Sequence, residues 1–218
     1  MKGVIIIKYS YIIWDWNGTL LDDLSASLAS VNDMLEKRKM EPIDIVRYRE
    51  CISVPIRGFY EKVFDLDKED YSEILREYNE GYLYHLKNCG LSEGAEELLE
   101  AFDKAGAKQI IVSSSNNEQL SGNVKRYGIW DFFDAVSGAA DYMATSKIER
   151  AVAYLEKENA KKEEVLVIGD LVHDAEMANK IGADCILLSS GHERPERLLS
   201  ANTEIVDSLK ELKSVVKY

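Results

Sequence analysis

The sequence predicts an α/β protein, a doubly wound parallel sheet interrupted by an inserted all-helical segment, and three observations carry that prediction. From Ser92 onward, short apolar runs alternate with amphipathic helical segments, the pattern of parallel strands connected through helices. Near the N-terminus the run Ile12-Ile13-Trp14 stops on Asp15 and turns at Asn17-Gly18, which reads as a buried strand ending in a turn. Between the two, from about Asp22 to Asn88, apolar residues recur at helical spacing with no strand signal. The chain therefore divides into a core formed by residues 1–21 and 89–218 and a helical insertion over 22–88, with no internal repeat and no low-complexity linker.

Taken in order, the elements follow from local chemistry. After the Asp15 turn, Leu24, Leu28, Val31 and Leu35 mark one apolar helix face, with Asp22 and Asp23 at its positive end. Pro42 interrupts, and a helical stretch follows around Ile43 to Tyr48. Pro55 and Gly58 punctuate the segment Cys51 to Gly58 as a loop, and a short helix continues to about Phe64. Tyr71, Ile74, Leu75, Tyr78 and Tyr82 define a further amphipathic helix. Ala95, Leu98, Leu99 and Phe102 then form a helix face closed by Gly106, a C′ glycine.

The core pattern continues with a strand over Gln109 to Val112, a helix over Gln119 to Tyr127 and a strand over Phe133 to Val136. A helix from Lys147 to about Glu158, the strand Val165 to Ile168 and a helix over Ala175 to Ile181 closed by Gly182 come next. The strand Cys185 to Leu188 and a last helix, strand and helix from Pro195 to Val215 complete the chain.

Composition narrows the function classes. The 218 residues are 46% hydrophobic, enough for one sizeable core, and the formal net charge of -12 disfavours a nucleic-acid partner or an anionic membrane surface. An anionic substrate needs local cations or a metal against that field. Cys51, Cys89 and Cys185 are odd in number and widely spaced, which fits a reducing cytoplasm better than a disulfide framework or a zinc site. The apolar stretch Val4 to Ile7 is far short of the roughly 18 residues of a membrane-spanning helix, and no small-residue cleavage site follows it. The sequence assigns no role to Met1 to Ile7.

Four predicted strand ends carry polar residues: Asp15 after the first, Ser113-Ser114-Ser115-Asn116 after the second, Lys147 opening the helix after the third, and Gly169-Asp170 with Asp174 after the fourth. In a doubly wound sheet such ends line one crevice. Each suits a phosphate ester. Asp15 is placed to attack phosphorus in line and form an aspartyl phosphate. Asp15 and Asp170, with the backbone carbonyl of Asn17 and with Asp174 through a water, make a hard oxygen site for magnesium. The Ser113 hydroxyl and the Ser114 N–H are candidates to hold phosphoryl oxygens, and Lys147 supplies positive charge to the phosphate and to Asp15.

With these motifs in place, the chain resembles the haloacid dehalogenase superfamily, in particular its phosphoglycolate-phosphatase-like and beta-phosphoglucomutase-like members. Asp15-Trp16-Asn17-Gly18-Thr19 is similar to the family's first motif, Ser113 to the second, Lys147 to the third, and Gly169-Asp170 with Asp174 to the fourth. The resemblance implies a Rossmann-like core, a type-one helical cap over 22–88, a magnesium-dependent phosphatase activity on a small phosphorylated metabolite, and Trp16 among the phosphate-binding residues. A monomer or homodimer is compatible with it.

One position departs from that family's pattern: Asn17 stands where the resemblance implies a second aspartate that protonates the leaving group and activates water, work worth roughly 10² to 10⁴ in rate. An amide orients a water but takes no proton, so slow or substrate-restricted turnover is expected, or a substitute base, with His173 and His192 as candidates. The same departure argues against a mutase. A metal-binding pair of aspartates argues against dehalogenation, and no cap lysine is singled out for phosphonate cleavage.

In the insertion, Arg57 is the expected substrate contact, an anion-binding fork in the Pro55-Ile56-Arg57-Gly58 loop, and the tyrosines at 71, 78, 82 and 84 read as cap core and rim. Two functional readings remain: a phosphomonoesterase with Asp15 as nucleophile, and a phospholigand-binding or regulatory protein that keeps the metal and phosphate sites with turnover impaired at Asn17.

Overall fold

The computed structural model describes residues 8–139 and 146–215. The apolar Val4–Ile7 stretch lies outside them. The strands are β1 (Tyr11–Trp14), β2 (Leu21–Asp22), β3 (Gly90–Leu91), β4 (Lys108–Asn116), β5 (Ala135–Ala139), β6 (Val165–Gly169), β7 (Asp184–Leu188) and β8 (Glu204–Val206). Six of them form one sheet in the order β5-β4-β1-β6-β7-β8, with every neighbouring pair parallel. The connections run outward from β1 through β4 to β5, then return to β6 on its other side. The topological switch point therefore falls at the carboxyl ends of β1 and β6.

The period-two alternation of strand side chains sorts the core into two layers. Ile12 and Trp14 point to the face covered by α5 (Ala95–Lys104), α6 (Asn117–Arg126) and the C-terminal helix α9 (Leu209–Val215), where they pack with Leu99, Phe102, Leu120 and Leu212. Ile13, Ile110 and Val167 point to the other face, against Ala151 and Leu155 of α7 (Lys147–Lys157) and Met177 of α8 (Val172–Ile181). Burying each such side chain stabilises the fold by about 1.5–3 kcal/mol. Two polar side chains that enter this core are paired: the Trp14 indole N–H donates to Gln109 at 3.0 Å, and the Gln109 amide donates to the Leu99 carbonyl at 2.9 Å.

Between β2 and β3 lie α1 (Leu24–Lys37), α2 (Ile45–Cys51), α3 (Arg57–Val63) and α4 (Tyr71–His85), which bury Val31, Met34, Leu35, Tyr48, Cys51, Phe59, Tyr60 and Ile74 in an apolar cluster of their own. The helical reading of this stretch holds, with two residues of strand at its edge. β2 pairs antiparallel with β3, Asp22 opposite Gly90, so the chain enters and leaves the helical block through one short ribbon.

Several boundaries move. β4 does not stop at Val112 but runs through the serines to Asn116, shifting register after Val112 before Asn116 meets Ala139 of β5. β5 begins at Ala135, since Phe133 closes a single 3₁₀ turn over Trp130–Phe132. α8 starts three residues earlier than its apolar face indicates, at Val172, and Gly182 ends it at φ +82°.

Candidate active site

Register places the predicted residues side by side. Trp14 pairs with Ile111 of β4 and Ile168 of β6, so Asp15, Ser113 and Asp170 each lie within two residues of one register line at the same edge of the sheet. Asp15 follows β1 there, its N–H donating to the Ile168 carbonyl at 2.8 Å. Asp170 follows β6, and Asp174 sits in the first turn of α8, where its Oδ2 accepts from the N–H groups of Asp170 and Leu171 at 3.2 and 3.1 Å. Lys147 reaches the same point because Ser146 and Glu149 form a reciprocal capping box that fixes the start of α7 one residue before it.

The result is a buried cluster. The Lys147 ammonium lies 2.5 Å from Asp15 Oδ1 and 2.6 Å from Asp174 Oδ1. Asp15, Asp170 and Asp174 each offer an oxygen within 4.8 Å of the others. Burial pushes the Asp15 carboxyl up to about 6 against the pull of Lys147, and Asp174 adds to the rise. Burial also raises Asp170, opposed by His192. Burial lowers the Lys147 ammonium, but Asp15 and Asp174 outweigh it and keep the lysine charged. Lys147 thus pairs with two of the three acidic side chains.

Asp170 Oδ2 accepts from the His192 N–H at 2.6 Å, whereas its Oδ1 is buried without a hydrogen-bond partner among the described residues. An orphaned carboxylate oxygen beside two further carboxylates is the donor set of a hard divalent cation, and these residues fit one. Backbone crowds in around that carboxylate: a Cβ on Gly18 (φ +70°) would fall 2.3 Å from Asp170 Oδ2, and one on Gly191 2.3 Å from Asp170 Cβ.

The phosphate-side residues divide. Ser113 is buried, with its Oγ accepting from the Ser115 N–H at 3.1 Å and its carbonyl held by Arg150 Nη2 at 2.5 Å, while Ser114 is exposed. The Trp16 side chain belongs to the apolar core and stands against Tyr127 at 6.2 Å, so only its backbone is available to the site. Arg57 is not brought to the carboxylates. It opens α3 on the exposed surface, paired with Glu61 at 2.9 Å and lying over the Tyr71 ring at 4.9 Å. Tyr71 is eleven residues, about 16 Å along α4, from the tyrosine that does reach the site.

That tyrosine is Tyr82, and with it comes a network absent from the sequence reading. Asp23 does not cap α1 with its side chain but turns back over the Asn17-Gly18 turn. Its Oδ1 accepts from the Gly18 N–H at 2.8 Å and from His192 Nε2 at 3.2 Å. Its Oδ2 accepts from Asn17 Nδ2 and from the Tyr82 hydroxyl, both at 2.8 Å. Asn17 Nδ2 also donates to Tyr82 at 2.8 Å, and Asn17 Oδ1 accepts from Ser115 Oγ at 2.6 Å. His192 Nδ1 meets the Tyr48 hydroxyl at 3.0 Å. Burial lowers the imidazole, but Asp23 and then Asp170 and Asp15 prevail and lift it to about 9.

Of the two candidate bases, His192 therefore reaches the site as a clamped cation rather than a free base. His173 stays apart, paired with Glu176 at 3.1 Å on the first turn of α8. A second cap arginine, Arg49, does contact the core, its Nη2 donating to the Ser190 and Gly191 carbonyls at 2.8 and 2.7 Å. The signals for these residues were slight: a doubled aspartate after a turn, and Tyr78 with Tyr82 at helical spacing.

A parallel sheet with carboxylates and a lysine gathered at its switch point suits phosphoryl chemistry, and comparison with known proteins identifies the family. Residues 12–188 match the model of the haloacid dehalogenase-like hydrolase family. A 5′-nucleotidase of Pseudomonas aeruginosa is 27% identical over 195 residues, covering 88% of each chain. A phosphoglycolate phosphatase of Caulobacter vibrioides is 25% identical, covering 89% of this chain and 85% of its own. A haloacid dehalogenase-like family protein of Streptococcus pneumoniae superposes with a TM-score of 0.82 at 19% identity, over 95% of this chain and 98% of that one. The chain belongs to the haloacid dehalogenase-like hydrolase family, in its phosphoglycolate-phosphatase-like subgroup. It is a phosphatase of the phosphoric monoester hydrolase class.

Proposed function

We propose that this chain is a magnesium-dependent phosphatase of a small phosphorylated metabolite, phosphoglycolate-like or a sugar phosphate, working in the cytoplasm as a monomer or homodimer. Residues 22–88 act as a cap domain over a core of 1–21 and 89–218. The single observation that carries the reading is the buried cluster of Asp15, Asp170, Asp174 and Lys147, with Asp170 Oδ1 left without a partner among the described residues. The relatives' names support the substrate class: a 5′-nucleotidase, a phosphoglycolate phosphatase and an N-acetylmuramic acid 6-phosphate phosphatase each act on a small phosphate monoester.

Asp15, Asp170 and the Asn17 carbonyl would hold magnesium directly and Asp174 through a water; bound there, the ion neutralises phosphoryl charge and eases the approach of an anionic nucleophile. Asp15 attacks phosphorus, the new bond to its carboxylate oxygen forming as the ester P–O bond breaks, and the leaving oxygen takes a proton from solvent water. Water then cleaves the aspartyl phosphate, giving inorganic phosphate and the free carboxylate. Lys147 holds Asp15 in place for attack and stabilises the charge that develops on the phosphoryl oxygens. The Ser113 hydroxyl and Ser114 N–H receive those oxygens.

Asn17 has no carboxyl proton to lend to the leaving group. Turnover therefore favours esters whose leaving groups need little protonation, and rates fall steeply as the leaving-group pKa rises. A second reading, a phospholigand-binding protein with impaired turnover, is favoured by the same observation that both Asn17 amide hydrogens are already committed.

The test is steady-state hydrolysis of a series of aryl and alkyl phosphates with magnesium, for the native chain and Asp15→Asn. Hydrolysis abolished by Asp15→Asn supports the phosphatase reading and its nucleophile. Binding of phosphate esters without hydrolysis of any favours the second reading.

A further inference from the structure

Asn17 and Asp23 are joined in a way their sequence positions do not suggest. The carboxamide of Asn17 is used on both sides: its two N–H bonds go to Asp23 Oδ2 and the Tyr82 hydroxyl, each at 2.8 Å, and its oxygen accepts from Ser115 at 2.6 Å. Asp23, 1% exposed, accepts four hydrogen bonds, from the Gly18 backbone, the Asn17 side chain, His192 and Tyr82. One carboxylate thus fixes both the backbone of the Asn17-Gly18 turn and the side chain that the turn presents beside Asp15. Three of its donors come from the core. The fourth, Tyr82, comes from α4 in the helical block, which is also tied down by Tyr48 on His192.

We propose that Asp23 and Tyr82 are positioning residues that hold the Asn17 carboxamide in one orientation, that the amide at 17 and the carboxylate at 23 work only as a pair, and that the cap completes the arrangement by supplying Tyr82. The pairing stands on hydrogen-bond geometry alone; the positioning role rests on the phosphatase reading above.

The donor inventory says what each substitution does. Asn17→Asp removes both N–H donors and sets a carboxylate against Asp23 with only the Tyr82 hydroxyl between them. Asp23→Asn turns an acceptor of four bonds into a group whose NH₂ faces the NH₂ of Asn17. The double substitution reverses the sense of the contact and satisfies it again. Asn at 23 still accepts from Gly18 and His192 through its oxygen, and donates to Asp at 17, which also accepts from Tyr82 and Ser115. Tyr82→Phe keeps the ring and its packing while removing the cap's hydroxyl from the triangle.

The experiment measures thermal unfolding and magnesium-dependent ester hydrolysis for the native chain, Asn17→Asp, Asp23→Asn, the double variant and Tyr82→Phe. Each single variant at 17 and 23 is expected to lower Tm by about 4 °C or more, with the double variant above both singles. A double variant at or below the summed losses overturns the pair. Tyr82→Phe is expected to lower kcat at least fivefold with KM within twofold. A Tyr82→Phe protein whose kcat is native while only Tm falls overturns the positioning role. A native chain that hydrolyses no ester removes the phosphatase reading and with it the positioning role, and leaves the pair to be judged by the Tm cycle.

Discussion

The Lys147 ammonium and the Asp15 carboxylate meet at 2.5 Å in the buried centre of the site, although 132 residues separate them in the chain. The same ammonium touches Asp174 at 2.6 Å, so one lysine bridges two of the three acidic side chains of the cluster. Removing it leaves anions buried against one another.

Lys147→Met is therefore expected to lose activity by about 10²-fold or more, since the developing phosphoryl charge loses its cation. In magnesium-free buffer it also loses about 3–5 kcal/mol of stability, the cost of leaving buried charge uncompensated. Steady-state hydrolysis checks the first part and urea unfolding with and without magnesium the second: the ion restores much of the lost stability.

Magnesium itself is expected to stabilise the native chain. An ion that binds the folded state alone adds about 2.7 kcal/mol at a hundredfold excess over its dissociation constant, which raises Tm by several degrees. Asp170→Asn removes the charge of the carboxylate whose Oδ1 has no partner among the described residues, so its Tm is expected to be nearly independent of magnesium. An equal magnesium response in the variant would sink the assignment of Asp170 as ligand.

His192 makes stability depend on alkaline pH. Its folded value near 9 lies above the roughly 6.5 of an unfolded histidine, so the stabilisation is fully present below pH ~6.5 and is lost as pH rises through 9. The loss amounts to about 3 kcal/mol, and His192→Asn is expected to remove that slope. Urea unfolding at pH 6, 7.5 and 9.5 reads it directly, and an unchanged slope in His192→Asn would assign it elsewhere.

Much of this site was legible because the residues that carry it also break the apolar strand pattern. Asp15, Ser113 and Asp170 each end a short hydrophobic run, and Lys147 follows a serine that makes the capping box with Glu149. Asp23 was hidden by a competing explanation: an acidic residue at the start of a helix already satisfies the dipole, so nothing called for a second role. Tyr82 was hidden because Tyr78 and Tyr82 share a helix face, and only Tyr78 stays within the cap, bonded to Ser27. Arg57 drew attention through its loop residues, whereas contact with the core depends on where α2 and α3 lie in space and falls to Arg49.

The ribbon of β2 and β3 has a consequence for how such a protein changes over time. Asp22 and Gly90 are paired neighbours, so the two ends of the helical block lie one strand spacing apart, about 5 Å. A two-residue turn would close that gap and leave the six-stranded sheet uninterrupted. The block can thus be exchanged or removed at these two ends without rerouting the sheet. Any replacement must still bring its own Asp23 and Tyr82, or do without the contact that ties the insert to the Asn17 turn.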